Sequence, residues 1–243
     1  MIPEAKIQEF VKRVREAAGE NLESVILYGS AASGDFDPEF SDINLFCVLR
    51  DSSFAQLSNL APVARWWQQQ KQRAPMIMTR AELESTTDVF AIEFQDMKLH
   101  HRVLTGDDVL ENLVIPMELH RVQVEYELRE KLLLLRQRAL LAYGNKKQLQ
   151  ELLLASVPSF FTLFRHSLIA LGQNPQEEKK REMIKRLGVA CGMDATTMMQ
   201  VLDLREHRSG IGQKDIEGLF GRYLAAIEQV TAAVDKALGP RSK

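Results

Sequence analysis

Cysteine is scarce in this chain: Cys47 and Cys191 are the two in 243 residues. That excludes a disulfide framework and a cysteine-based zinc cluster, and Cys47, inside an apolar run, reads as an ordinary buried thiol. An excess of one charge is missing as well. Lys and Arg number 31 against 33 Asp and Glu, for a net charge of −2. No global positive field therefore holds nucleic acid or an anionic membrane, and a nucleic-acid partner would need a local patch. No uninterrupted apolar run approaches the roughly 18 residues of a membrane span, and Met1-Ile2-Pro3-Glu4 leads into a charged helix instead of a signal-peptide core. The expectation is a cytoplasmic protein with no membrane partner. Internal repeats are absent, and Gln68–Gln70 is the one low-complexity tract. What the chain has in quantity is apolar content, 45%, enough for one large core or two modest ones.

The apolar residues change rhythm along the chain. Ile7, Phe10, Val11 and Val14 recur at helical spacing over 6–18, and Gly19 ends that segment. Strands are predicted over 24–28 and 43–49, on either side of a turn-rich stretch holding Gly34, Asp35, Asp37 and Pro38. A helix is predicted over 54–70 despite Pro62, with Trp66 and Trp67 at its end, one packed and the other partly exposed. Further strands are predicted over 75–78 and 90–94, which makes residues 1–115 an α/β domain with a mixed sheet. From Met117 onward the spacing is helical throughout: 117–142, 147–171, 177–191, 195–208 and 215–238 read as helices. Residues 116–243 are then expected to form an all-α helical bundle. The Leu-rich helix at its start would serve a homodimer interface as readily as an intramolecular core.

One constellation carries chemistry. Tyr28-Gly29-Ser30 closes the first strand, and eleven residues later Asp42-Ile43-Asn44 opens the second. Gly29 permits close backbone approach, and Ser30 is placed to cap a short helical turn whose free N–H groups face an anion such as a triphosphate. Taken alone, a Gly-Ser turn after a strand is commonplace. Side chains at i and i+2 of a strand share a face, so Asp42 and Asn44 project together, with Ile43, Leu45 and Cys47 on the other face. Such an oxygen pair suits Mg²⁺ bridging nucleotide phosphates, and the plainer alternative is that Asp42 caps the loop.

Tyr28-Gly29-Ser30 followed by Ser41-Asp42-Ile43-Asn44 resembles the signature of the DNA polymerase β-like nucleotidyltransferase superfamily. A helical domain after the catalytic one is similar to small bacterial and aminoglycoside-type members. The resemblance covers residues 24–106. It implies transfer of a nucleoside monophosphate from an NTP to an acceptor hydroxyl, with pyrophosphate released and metal ions held by three carboxylates.

The resemblance puts the third carboxylate on a later strand. In Ala91-Ile92-Glu93-Phe94-Gln95-Asp96, a strand would place Glu93 with Ala91 and Gln95, and Asp96 in phase with Phe90, Ile92 and Phe94. Glu93 is therefore the candidate base and metal ligand. Asn44 departs from the family pattern, since it stands where a second carboxylate belongs and brings an oxygen without a charge. Asp35, Asp37 and Glu39 are available to supply charge, although a solvated turn explains them too. Two readings stay open: an Mg²⁺-dependent nucleotidyltransferase, and a catalytically impaired fold kept to bind a nucleotide or a protein partner. The acceptor, whether a small molecule, a protein side chain or an RNA end, is not encoded in the motif. An interdomain acceptor site would take in Arg165 and His166. His100, His101 and Arg102, and the cluster Arg205, His207 and Arg208, need no substrate to explain them.

Overall fold

The structure is a computed structural model that describes residues 3–34, 36, 42–175, 179–206 and 215–237. The chain divides into two compact units, Met1–Met117 and Glu118–Lys243.

In the first unit the described residues run α1 (Glu4–Ala18), β1 (Leu22–Tyr28), α2 (Ser30–Ser33), β2 (Asn44–Leu49), α3 (Phe54–Gln69), β3 (Met76–Thr79), α4 (Arg80–Ser85), α5 (Ala91–Leu99) and β4 (His101–Gly106). The sheet order is β3-β2-β1-β4. β1 pairs antiparallel with both β2 and β4, and β2 pairs parallel with β3 through the α3 crossover. Both faces are covered, which is why β1 and β2 read as nearly continuous apolar runs. On one face Val25, Leu27, Leu45, Cys47 and Leu49 pack against Ile7, Phe10 and Val14 of α1 and Leu60, Val63 and Trp67 of α3. On the other, Ile26, Phe46 and Val48 pack against Leu83 of α4, Phe94 and Met97 of α5, and Leu110. Burial of each such side chain contributes roughly 1.5–3 kcal/mol, enough to carry α3 past Pro62, whose missing N–H removes one helical bond. Trp67 is buried against Phe10, with ring centroids 4.9 Å apart, while Trp66 is half-exposed under the Arg13 guanidinium. Burial pushes the Cys47 thiol up to about 12, so it behaves as a small apolar side chain.

Two elements differ from the sequence expectation. Residues 90–94 do not form a strand: Phe90 precedes α5 and the rest lie within it. The alternation of Phe90, Ile92 and Phe94 suggests a strand, but the residues buried are Ala91, Ile92, Phe94 and Met97, at helical spacing. The fourth strand is instead β4, whose apolar content is thin because it occupies a sheet edge. α4, not expected from the sequence, starts at a capping box: Thr79 Oγ1 accepts the Glu82 N–H at 3.1 Å and Glu82 Oε2 accepts the Thr79 N–H at 2.7 Å.

The second unit is helical in its described residues: α6 (His120–Ala142), α7 (Lys146–Ala170), α8 (Lys180–Cys191), α9 (Ala195–Arg205) and α10 (Ile216–Ala237). α6, α7 and α10 pack on one another, and α8 and α9 pack on each other and on α7 and α10. Leu128, Leu132 and Leu135 of α6, Leu153, Phe160 and Phe164 of α7, and Tyr223 and Ile227 of α10 are buried. The Tyr223 hydroxyl lies 2.9 Å from Ser156 Oγ, so even this deep ring has a polar partner. α7 is long and apolar enough to cross a membrane by composition, and half of its most apolar stretch is buried in the fold. The α/β unit with a mixed sheet and the helical remainder agree with the fold class read from the sequence.

Candidate functional site

The site is assembled where β1 ends. Tyr28, its last residue, pairs with Asn44 at the start of β2 and with His101 at the start of β4. Even-numbered residues of both central strands face α5, so Tyr28 and Asn44 open onto that side together with Phe46 and Val48. Gly29 follows with φ 72 and ψ −151, a conformation essentially confined to glycine. Its carbonyl accepts the Ala32 and Ser33 N–H groups at 2.9 and 3.0 Å, which makes Gly29 the N-cap of α2. Ser30 is the first helical residue and does not cap; the φ that a β-carbon cannot tolerate hands that position to glycine. Asn44 closes over the turn, and a Cβ on Gly29 would stand 2.9 Å from its side-chain nitrogen.

Asp42 lies two residues before β2, half-exposed, and forms an ion pair with Arg73 at 2.8 Å. Arg73 belongs to the turn between α3 and β3. The neighbouring Gln72 fastens that turn to the same segment, its Oε1 accepting the Ile43 N–H at 2.9 Å. Lys71, with φ 61, supplies the left-handed residue that reverses the chain after α3. Asp35, Asp37, Glu39 and Ser41 lie outside the described residues.

Glu93 reaches the site from a helix. Phe94 and Met97 anchor α5 on the sheet, and Glu93 is half-buried with its Oε2 shielded from solvent. On a helix Asp96 sits one turn from Glu93, so the alternation that separated the two in a strand does not operate. Tyr28 registers the surroundings: burial raises its pKa above the ordinary phenol, the Glu93 charge raises it further, and the Arg73 charge opposes them. Glu93 and Arg73 thus bear on the same hydroxyl with opposite sign.

Asp42, Asn44 and Glu93 offer two carboxylates and one amide oxygen. That set suits a hard cation carried in on phosphates, since Mg²⁺ is commonly held by one or two carboxylates plus the phosphates themselves. It does not suit a self-sufficient cage, and among the described residues no three His, Cys, Asp or Glu side chains group as a metal site.

The other polar candidates have structural partners. His101 Nε2 lies 3.0 Å from Asp108, and Arg102 pairs with Glu4 of α1 at 2.8 Å. Burial alone would raise the Asp108 carboxyl, but His101 and the Leu110 and Glu111 N–H groups hold it below the usual range. His166 is buried with its Nδ1 2.9 Å from His120 Nε2, and Arg205 donates to the Leu154 carbonyl at 2.7 Å. His207 and Arg208 lie outside the described residues. Within the helical unit, a groove of about 220 Å³ between α6 and α7 is lined by Leu135, Leu152, Ser156 and Phe160 and rimmed by Lys131 and Arg138; it contains none of the residues above.

Tyr28, Gln72 and Arg73 were not singled out from the sequence. Tyr28 passed as the hydrophobic residue of the motif, and Gln72 and Arg73 sit in the polar tract after Trp67, where nothing local distinguishes them from a solvated turn.

Residues 7–99 match the family described as nucleotidyltransferase domain. A crystal structure of spectinomycin adenyltransferase AAD(9) from Enterococcus faecialis, with ATP and spectinomycin, has a similar fold. The TM-score is 0.58 at 13% identity, covering 93% of this chain and 99% of that one. No curated protein sequence matches the chain.

Proposed function

We propose that this chain, whose residues 7–99 match a nucleotidyltransferase domain, is a transferase that moves a nucleoside monophosphate from an NTP to a hydroxyl of a small molecule. Gly29 and Ser30 would bring backbone N–H groups to the phosphates at the turn over which Asn44 closes. Asp42, Asn44 and Glu93 would hold Mg²⁺, which supplies charge neutralisation of the triphosphate when bound. Glu93 takes the proton of the acceptor hydroxyl. The acceptor oxygen then forms its bond to the α-phosphorus as the bond to the bridging oxygen of the β-phosphate breaks, and pyrophosphate leaves. The observation that carries this reading is the Gly29 turn at the end of β1, set against Asn44 at the start of β2. A small-molecule acceptor is favoured because the near-neutral chain has no field for RNA, and because the structurally similar adenyltransferase was crystallised with spectinomycin.

Asn44 favours a second reading, a nucleotide-binding protein with impaired transfer, because the site has one negative charge fewer than three carboxylates provide. Transfer of label from α-labelled ATP, GTP, CTP and UTP, with Mg²⁺, to a panel of polyhydroxylated compounds separates the two. Label transferred by wild type and abolished in Glu93→Gln supports the enzyme. Nucleotide binding with no transfer to any acceptor supports the binding protein.

A further inference from the structure

Resting on the nucleotide reading above, we propose that Arg73 is a phosphate-binding residue of this site, held on Asp42 in the free protein and transferred to the triphosphate as nucleotide binds, which leaves that carboxylate to a cation. Two observations support it. First, the guanidinium lies 2.8 Å from Asp42, the carboxylate at the head of the motif, so cation and guanidinium compete for the same oxygens. Second, the backbone and the side chain of Arg73 are held differently. Gln72 pins the turn to the Ile43 N–H, while the Arg73 side chain is 83% exposed, so it swings without losing packing and without leaving the site.

The charge balance gives the residue its purpose. With Asn44 neutral, Asp42, Glu93 and Arg73 sum to −1, where a carboxylate at position 44 would make the same set −2. A triphosphate meets far less repulsion at such a site before any metal is present. A fork of guanidinium donors replaces part of the attraction that a second cation would supply. An exposed ion pair is weak, so exchanging Asp42 for a phosphate costs little.

The test uses the full chain as wild type, Arg73→Gln, Arg73→Lys and Asp42→Ala. Mn²⁺ binding without nucleotide is followed by electron paramagnetic resonance and ATP binding in EDTA by calorimetry, with thermal unfolding reporting that each variant folds. Removing the competing guanidinium should tighten Mn²⁺ binding in Arg73→Gln by about two- to fivefold. Removing the phosphate contact should weaken metal-free ATP binding about tenfold, with Arg73→Lys between the two. Changes of opposite sign support the exchange. Unchanged affinities, or two changes of the same sign, overturn it and leave Arg73 a surface ion pair. If wild type binds no ATP with or without metal, the nucleotide reading itself falls and this inference with it. ATP binding in wild type that Arg73→Gln leaves untouched removes the inference alone.

Discussion

A β-carbon on Gly29 would lie 2.9 Å from the Asn44 side-chain nitrogen, so the turn after β1 and the head of β2 fit only because position 29 has no side chain. Gly29→Ala meets two penalties, this overlap and a backbone conformation confined to glycine. It should cost about 1–3 kcal/mol in urea unfolding and weaken nucleotide binding more than that loss explains. Gly29→Ala/Asn44→Ala should recover the steric part only. Equal stability of Gly29→Ala and wild type would show that the turn is not held as described.

Asn44→Asp restores a carboxylate beside Asp42 and Glu93. Mn²⁺ affinity should rise on the order of tenfold, since affinity for hard cations follows the count of charged oxygens. Unchanged affinity would mean that position 44 does not face the cation, and the amide would then be serving the Gly29 turn.

Tyr28 provides a readout independent of nucleotide. Its pKa is raised by burial and by the Glu93 charge, and Arg73 opposes this. Glu93→Gln should therefore lower the Tyr28 pKa and Arg73→Gln should raise it, in ultraviolet titration against a Tyr28→Phe baseline. A Tyr28 that ignores both substitutions would separate α5 from the site.

The helical unit has its own titrating element. His120 and His166 are 1% and 0% exposed, and their ring nitrogens lie 2.9 Å apart in an arrangement that needs one proton between them. Burial, and after it the charges of His166 and Arg121, lower the His120 pKa from 6.5 to about 4. The unfolded chain thus binds the extra proton first. The stability contribution is fully present above pH 6.5 and is lost as the pH falls towards 4, roughly 2–3 kcal/mol in all. Urea unfolding of wild type should weaken across that window, and His120→Gln should flatten the slope. Parallel slopes would remove His120 as the cause.

Much of this was legible in the sequence where local pattern and tertiary burial agree. Ile7, Phe10 and Val14 announce α1, the apolar runs 24–28 and 43–49 announce the two central strands, and Gly29, Asp42 and Asn44 stand out as a candidate site because a polar pair at the mouth of an apolar strand is unusual. The strand expected to carry Glu93 is a helix. Alternation of Phe90, Ile92 and Phe94 matches a strand as well as it matches a helix with Ala91 and Met97 on its buried side, and only the sheet face waiting for Phe94 decides between them. β4 was missed because an edge strand needs little apolar content, and α4 because the Thr79–Glu82 capping box went unread. Arg73 was out of reach, since its role depends on Asp42 being brought to it across a distance the sequence does not encode.

Calorimetric titration of ATP with Mg²⁺ into wild type and Asp42→Ala tests the nucleotidyltransferase site most directly. Binding by wild type that weakens at least about tenfold in Asp42→Ala is the expected result, since that variant loses a charged ligand to the cation. Equal binding by both proteins, or binding by neither, would contradict it.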